Sequence, residues 1–455
     1  MMRSNDKKID VTGWWAAGNM AGRTAAIILG IVFAVQPAAG QETAVTLSAA
    51  HVSQQMEQGA GATPLAKLVS EAEQNNPNIL AARRAWQAAT QVPSQVSTLP
   101  DPEVMVQHVS AGTPIPYWDF RKVEMTFTGF GVSQELPYPG KLRLRGEAAR
   151  SQADSLGSRV ESLRRSIAEK VKTTYYRLSY LQKTLEILAR DQELIDQIEK
   201  IADARYRVGQ GNQQDVLKAQ LERTKLLRDA AESRQQQGGL EAQLKQLLNR
   251  PPESADIVAE TLTETLLPYR SEELLAMVPA GNPDVTVQQQ MVRNKSLGLE
   301  LARKDFLPDF NVQYMWEHTA PNFPDRYSLS LGIKIPIYHA RRQNPEVAQA
   351  AEELNQSRRE YEAQVQQIYF EVKDQFLAAD ANAKVLKIYR EGLIPQATAS
   401  FQAGMAAYEA GHEDFQSLLA SFLDVLTMDK EYWRTLADHE SALARLESLT
   451  GASLR

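Results

Sequence analysis

The chain has no cysteine. That excludes disulfides, a thiolate nucleophile, cysteine-ligated zinc and a cysteine-linked lipid anchor. It has no basic excess either: 50 Lys and Arg stand against 56 Asp and Glu, a net charge of −6. A basic footprint for nucleic acid is therefore missing. Long hydrophobic runs are absent too. Mean hydropathy is −0.39, and the apolar run Ala25–Val35 falls well short of the ~20 residues that a spanning helix needs. The six histidines, His51, His108, His318, His339, His412 and His439, are scattered. No HExxH, GxSxG or phosphate loop occurs. Gly209-x-Gly211 follows a helical stretch rather than a strand, so it does not read as a nucleotide loop. The clusters His412-Glu413-Asp414 and Asp438-His439-Glu440 place neighbours on different helix faces, so they read as surface polarity rather than metal sites. The eleven methionines form no run that would suggest copper handling. No cofactor and no enzymatic activity are expected.

What is present starts with a leader. Lys7, Lys8 and Arg23 precede the short apolar run, and Pro37-Ala38-Ala39-Gly40 follow it. This pattern predicts a signal peptide over 1–40, with Met20 as an alternative start, and an extended segment over 41–63. An exported chain without spanning helices must enter a membrane by β-strands.

The rest of the chain repeats itself. Asn76-Pro77 is echoed by Asn282-Pro283. Tyr206-x-x-Gly209 precedes Val216-Leu217, as Tyr408-x-x-Gly411 precedes Leu418-Leu419, and the tyrosines are offset by 408 − 206 = 202 positions. The expected plan is a first repeat over 64–250, a proline-bearing linker over 251–270 and a second repeat over 271–451. Each repeat reads helix, strand, strand, long helix, turn, long helix. Strands are expected at about 102–110 and 122–136, then 309–317 and 327–337. Phe310, Val312, Tyr314 and Trp316 alternate with Asn311, Gln313 and Met315, and Leu329, Leu331 and Ile333 alternate with Ser328, Ser330, Gly332 and Lys334. Such lengths suit tilted membrane strands. Helices are expected at about 141–206, 213–249, 341–405 and 413–449. Leu156, Val160, Leu163, Ile167, Val171 and Tyr175 form one apolar stripe on the first, and Phe415, Leu418, Phe422 and Val425 begin another on the last.

Leu136-Pro137 and Ile335-Pro336 end strands, because proline cannot donate to a ladder. Pro139-Gly140 then redirects the chain into a helix. Four strands cannot close a barrel in lipid, so the chain is expected to assemble through its sheet edges. Two copies give a filled barrel and three a lumen.

These features, with the tip motifs YRVGQGNQQDVL (206–217) and YEAGHEDFQSLL (408–419), resemble the TolC family of outer-membrane efflux proteins. The junction PYPGKLRLRGEAA is similar to members that export metal cations and drugs. The resemblance implies a mainly α protein with membrane β: a homotrimer whose 12-stranded β-barrel continues into a 12-helix periplasmic α-barrel. It also implies a duct in the outer membrane, contacting lipid, served by a periplasmic adaptor and an inner-membrane pump. It marks Tyr206, Gly209, Val216, Leu217, Tyr408, Gly411, Leu418 and Leu419 as an adaptor-docking tip. Arg205, Asp215, Glu413 and Asp414 are the candidate gate. The best-known members carry acidic residues where this chain has Ser417 and Ala420, so an acidic ring is not expected there. A type I secretion duct and a non-conducting coiled-coil tether are the competing readings.

Overall fold

In chain order the elements are α1 (Leu65–Asn75), α2 (Pro77–Ala89), α3 (Val92–Ser97), β1 (Glu103–Val109), β2 (Phe127–Leu136), α4 (Lys141–Arg207), α5 (Gln213–Leu247), α6 (Ser271–Gly281), α7 (Pro283–Lys304), β3 (Asp309–Thr319), β4 (Arg326–Lys334), α8 (Gln343–Ile388), a π-turn (Tyr389–Leu393), α9 (Ile394–Glu409) and α10 (Phe415–Thr450). The structure is a computed structural model and describes residues 62–110, 114, 125–319 and 323–454. The expected signal peptide, most of the 41–63 segment and residues 122–124 lie outside the described residues.

The two Asn-Pro pairs begin helices, because proline loses no amide bond in a first turn and asparagine caps the free amides beside it. Asn76 accepts from the Asn78 amide at 3.0 Å, and Asn282 accepts from the Asp284 and Val285 amides at 2.9 and 3.1 Å. Each also donates to the end of a distant helix: Asn76 to the Leu247 carbonyl and Asn282 to the Leu449 carbonyl, both at 2.8 Å. The same pair of residues thus fastens the same kind of joint in both halves.

Helix α4 has 67 residues, a rod of roughly 100 Å at 1.5 Å per residue. Its stripe is buried from Ile167 onward: Ile167, Val171, Tyr175 and Leu178 join one core with α1, Leu386 of α8 and Leu436 of α10. Farther along, Leu188, Ile195 and Ile198 meet Ala219 and Leu226 of α5 and Leu418 and Phe422 of α10. A third cluster joins Leu274 of α6, Val285 of α7, Val372 of α8 and Leu443 of α10.

Three expected elements are corrected. The helix expected at 341–405 begins at Gln343 and is interrupted by the π-turn Tyr389–Leu393. Pro395 stands in the next turn; it lacks an N–H and its ring crowds the carbonyl one turn back, and a widened turn absorbs both. The strand expected at 327–337 ends at Lys334. Beyond it the chain leaves the ladder at Ile335-Pro336, and the Ile337 amide turns back to the Ile335 carbonyl at 3.0 Å. The strand expected at 122–136 runs over Phe127–Leu136 among the described residues, with Met125 and Thr126 outside the ladder.

The linker 251–270 is a strap laid across the helices. Ile257 and Leu262 are buried, and its backbone is satisfied by helix side chains rather than by a second strand. Glu260 donates its amide to the Tyr175 hydroxyl at 2.7 Å, its carbonyl accepts from Ser179 at 2.8 Å, and the Ala259 amide reaches the Gln182 side chain at 3.0 Å.

Among the described residues four strands form one antiparallel sheet in the order β1-β2-β3-β4. Its register sorts the side chains cleanly. Val106, Phe130, Trp316 and Tyr327 lie in one cross-strand row, and Val104, Val132, Tyr314 and Leu329 in the next. On the opposite face the rows are Glu103, Ser133, Gln313, Ser330 and Gln107, Gly129, Glu317, Arg326.

Candidate functional site

The sheet is unlike a soluble one: its apolar face is left exposed. Val104, Phe130, Val132, Tyr314, Leu329 and Leu331 are all exposed in the single chain. Phe130 and Trp316 stack on that face with centroids 5.9 Å apart. A contiguous apolar surface of this kind marks a membrane or partner contact. The other face carries carboxylates, amides and hydroxyls, with Arg326 3.7 Å from Glu317. Gly129 and Gly131 keep this face low, and Met315 lies over them; a Cβ at either would stand 3.1 Å from its sulfur. Sequence reading found the second-half faces but missed Glu103, Ser133 and Glu317 as their partners. The signal was present in Gly129-Phe130-Gly131-Val132-Ser133, where small and large residues alternate.

The two faces give a direct test. With no native cysteine to interfere, Ser330→Cys should react with a water-soluble thiol reagent in membranes. Leu331→Cys should react only after detergent dissolves the assembly. Inverted labelling would invert the faces.

Of the two junctions, the first is braced and the second bare. Gly140 has φ +91°, a left-handed conformation that turns the chain from Pro137 and Pro139 into α4 and suits glycine. Lys141, the next residue, is buried: its ammonium lies 3.1 Å from Asp305 and 3.0 Å from Asp309. Asp309 also accepts from the Tyr138 amide at 2.8 Å. One lysine thus ties the start of α4 to the α7–β3 turn. Lys141→Met would leave two carboxylates facing each other. They are partly exposed, so the cost is roughly 2–3 kcal/mol, below that of breaking a fully buried pair. It should show as a lower heat-dissociation midpoint of the assembled protein. Around Pro336, by contrast, Ile335, Ile337 and Tyr338 are exposed.

The tips differ in the same way. Both turns close on a left-handed glycine, Gly209 at φ +74° and Gly411 at φ +78°. Yet Tyr206 is 45% exposed and Tyr408 only 2%, and Leu217 is exposed while Leu418 and Leu419 are buried. Val216 packs at the margin of the distal core that holds Tyr408, Leu418 and Leu419. Those three therefore support the tip from within and are not part of its outer surface. The cause is position: α10 lies against α4 inside the chain, whereas α5 flanks it with one side uncovered.

The candidate gate residues separate into two kinds. Arg205 bridges the tips. Its guanidinium donates to the Tyr408 carbonyl and, at 3.2 Å, to the Gln210 carbonyl, and it lies 4.5 Å from the Tyr408 ring centroid. The Tyr408 hydroxyl is buried with no hydrogen-bond partner among the described residues. Burial, and then the charge of Asp215, push its ionisation up, against the pull of Arg205. Asp414 instead caps α10, accepting from the Gln416 and Ser417 amides at 2.8 and 2.9 Å. The Ser417 amide and hydroxyl hold its carboxyl below the usual range. Asp215 likewise reaches the Asn212 amide, at 3.5 Å, at the start of α5. Glu413 folds back within contact distance of where a side chain at Gly404 would stand.

Among the described residues no group of His, Asp and Glu is placed to hold a metal ion, and no helix is long and apolar enough to cross a membrane. Asp438-His439-Glu440 is corrected in another respect. Asp438 is exposed, but His439 and Glu440 are buried, because the strap covers them.

Two stretches, residues 68–250 and 274–452, match the family profile described as outer membrane efflux protein. No curated protein matches the sequence. Solved structures do. The outer-membrane channel OprN aligns at 14% identity and TM-score 0.74, over 86% of this chain and 90% of its own. CusC, described as forming a transmembrane channel, aligns at 16% and 0.74 over 88% and 96%. The outer membrane protein VceC of Vibrio cholerae aligns at 15% and 0.73 over 86% and 97%. With its exposed apolar sheet, its rod-like helices and a profile match over most of its length, the chain belongs to the outer membrane efflux protein family, the outer-membrane export ducts of tripartite efflux systems.

Proposed function

We propose that three copies of the chain form one passive duct. Their sheets close into a 12-stranded barrel, and their helices form a 12-helix tube that reaches across the periplasm. An energised inner-membrane pump feeds it through a periplasmic adaptor. The observation that carries this reading is the pair of open flanks. Among the described residues neither β1 nor β4 has a second neighbour, and unpaired strand edges in lipid cost several kcal/mol per group. The helices carry uncovered apolar residues as well: Leu217, Leu221 and Leu227 of α5 and Phe370, Leu377 and Ile388 of α8 are exposed. Twelve strands leave a lumen where eight would be filled, and the polar sheet face would line it.

The repeat supports a specific closure. Leu99-Pro100-Asp101, just before β1, is matched by Leu307-Pro308-Asp309, which leads into β3. Asp101 of one copy would draw the Ile337 amide of the next away from the Ile335 carbonyl that it meets in the single chain, and hold it as Asp309 holds that of Tyr138. Sliding β4 onto β1 in this register brings Lys334 opposite Glu103. At the far end, Tyr206, Gly209, Leu217 and Gly411 offer the docking surface. Arg205, Tyr408 and Asp215 hold the resting tip closed.

Single-channel recording in planar bilayers, with the mass of the purified assembly, tests the duct. The expected result is a three-chain assembly that conducts, in small steps at rest and larger ones after Asp215→Arg. A two-chain assembly without conductance would instead support a periplasmic tether.

A further inference from the structure

The geometry points to a proton-operated clasp at His439, which we propose fastens the strap 251–270 to the helical wall. His439 is 1% exposed. Its Nδ1 lies 3.0 Å from the Ala379 carbonyl of α8, and its Nε2 lies 2.9 Å from the Thr265 carbonyl of the strap. Both partners are acceptors. A neutral imidazole carries a single N–H and can serve only one of them; the imidazolium serves both. One protonated ring therefore joins three elements, α10, α8 and the strap. Glu440, next in sequence and also buried, accepts from the Thr265 amide at 2.8 Å and its hydroxyl at 3.0 Å. Thr265 is thus gripped by its amide, hydroxyl and carbonyl at once, by a carboxylate and an imidazolium of opposite charge.

The surrounding charges leave the switching role to the histidine. On the strap side, Glu264 pairs with Arg390 at 2.8 Å, and Arg270 and Glu272 line the same cleft. On α8, Lys373 donates to Ser271 at 3.0 Å and Asp380 pairs with Lys384 at 2.7 Å. On α10 itself stand Glu440 and the exposed Asp438. Between pH 5.5 and 8, imidazole is the group whose ordinary value lies inside the interval. That cleft, lined by Glu264, Lys373, Asp380 and His439, gives the ring a route for the proton. At low pH the clasp is closed. As pH rises one ring nitrogen loses its hydrogen, faces a carbonyl lone pair to lone pair, and releases either the strap or α8.

The test uses the full chain in nanodiscs. Hydrogen–deuterium exchange is followed in peptides covering 260–268, corrected for the intrinsic pH dependence of exchange. Opening of the strap is expected to be about tenfold more frequent at pH 8 than at pH 5.5, the change that losing a charge-assisted hydrogen bond produces. His439→Phe should exchange at the faster level at both values. Of the other described histidines, His108 and His318 are on strands, His339 is at a junction and His412 at a tip, so none of them lies at these peptides. Nitrogen-15 spectra of histidine-labelled protein provide a readout that needs no variant to fold. A buried ring with two protonated nitrogens at pH 5.5 is the expected signature. Equal corrected exchange at both pH values, or a solvent-protected ring that is still neutral at pH 5.5, would overturn the clasp.

Discussion

Leu331→Arg should remove the heat-resistant assembled band on a denaturing gel. Leu331 is 67% exposed in the single chain and stands between Leu329 and Ile333 on the apolar side of β4, opposite Val312. A guanidinium on the lipid face near mid-membrane costs roughly 2–4 kcal/mol. In the proposed three-copy barrel the cost would be borne three times, roughly 6–12 kcal/mol. This is comparable with the whole stability of an ordinary domain, about 5–15 kcal/mol. Ser330→Arg is the control: the same charge one residue away points to the polar face and should leave the band in place. If Leu331→Arg assembles as well as Ser330→Arg, the apolar face does not lie in lipid.

Gly209→Trp should abolish export while leaving assembly and resting conductance intact. At the tip, a Cβ on Gly209 would meet nothing within 4 Å, whereas one on Gly411 would approach Arg205 at 3.7 Å. Gly209 is therefore the position where bulk is added without disturbing the Arg205 bridge. Its φ of +74° makes any side chain strained there, at about 1–3 kcal/mol. Gly209→Ala carries that strain without the bulk and should still export. Loss of export with Trp but not with Ala isolates obstruction of the docking surface. Equal export by both variants would remove Gly209 from that surface.

The legible part of this protein was its periodicity. The spacing of Ile167, Val171 and Tyr175 announces a buried helix stripe, and Leu329, Leu331 and Ile333 announce a one-sided strand, whatever lies around them. Asn76-Pro77 and Asn282-Pro283 announce helix starts, since proline and a capping side chain act within one turn. The π-turn before Pro395 was less visible, because a helix can meet a proline by stopping, kinking or widening, and its neighbours select which.

The candidate site divided along the same line. Tyr206 and Tyr408 sit in matching motifs, and nothing local distinguishes them. One is exposed and the other buried because Tyr408 of α9 packs on Phe415 of α10 and under Arg205 of α4, whereas Tyr206 of α4 has no such cover within the chain. Lys141 opens a helix with nothing local to distinguish it from Arg143 and Arg145, until a turn 164 residues later (305 − 141) places two aspartates around it. His439 and Glu440 read as surface polarity, until the strap crossed over them and turned two exposed-looking residues into a buried grip. Local chemistry therefore determined where helices, strands and turns begin and end and which face of each is apolar, since those depend on steric and hydrogen-bonding terms within a few residues. The tertiary structure alone decided which of two equivalent faces is covered and which charges meet, because both depend on residues brought together from more than a hundred positions apart.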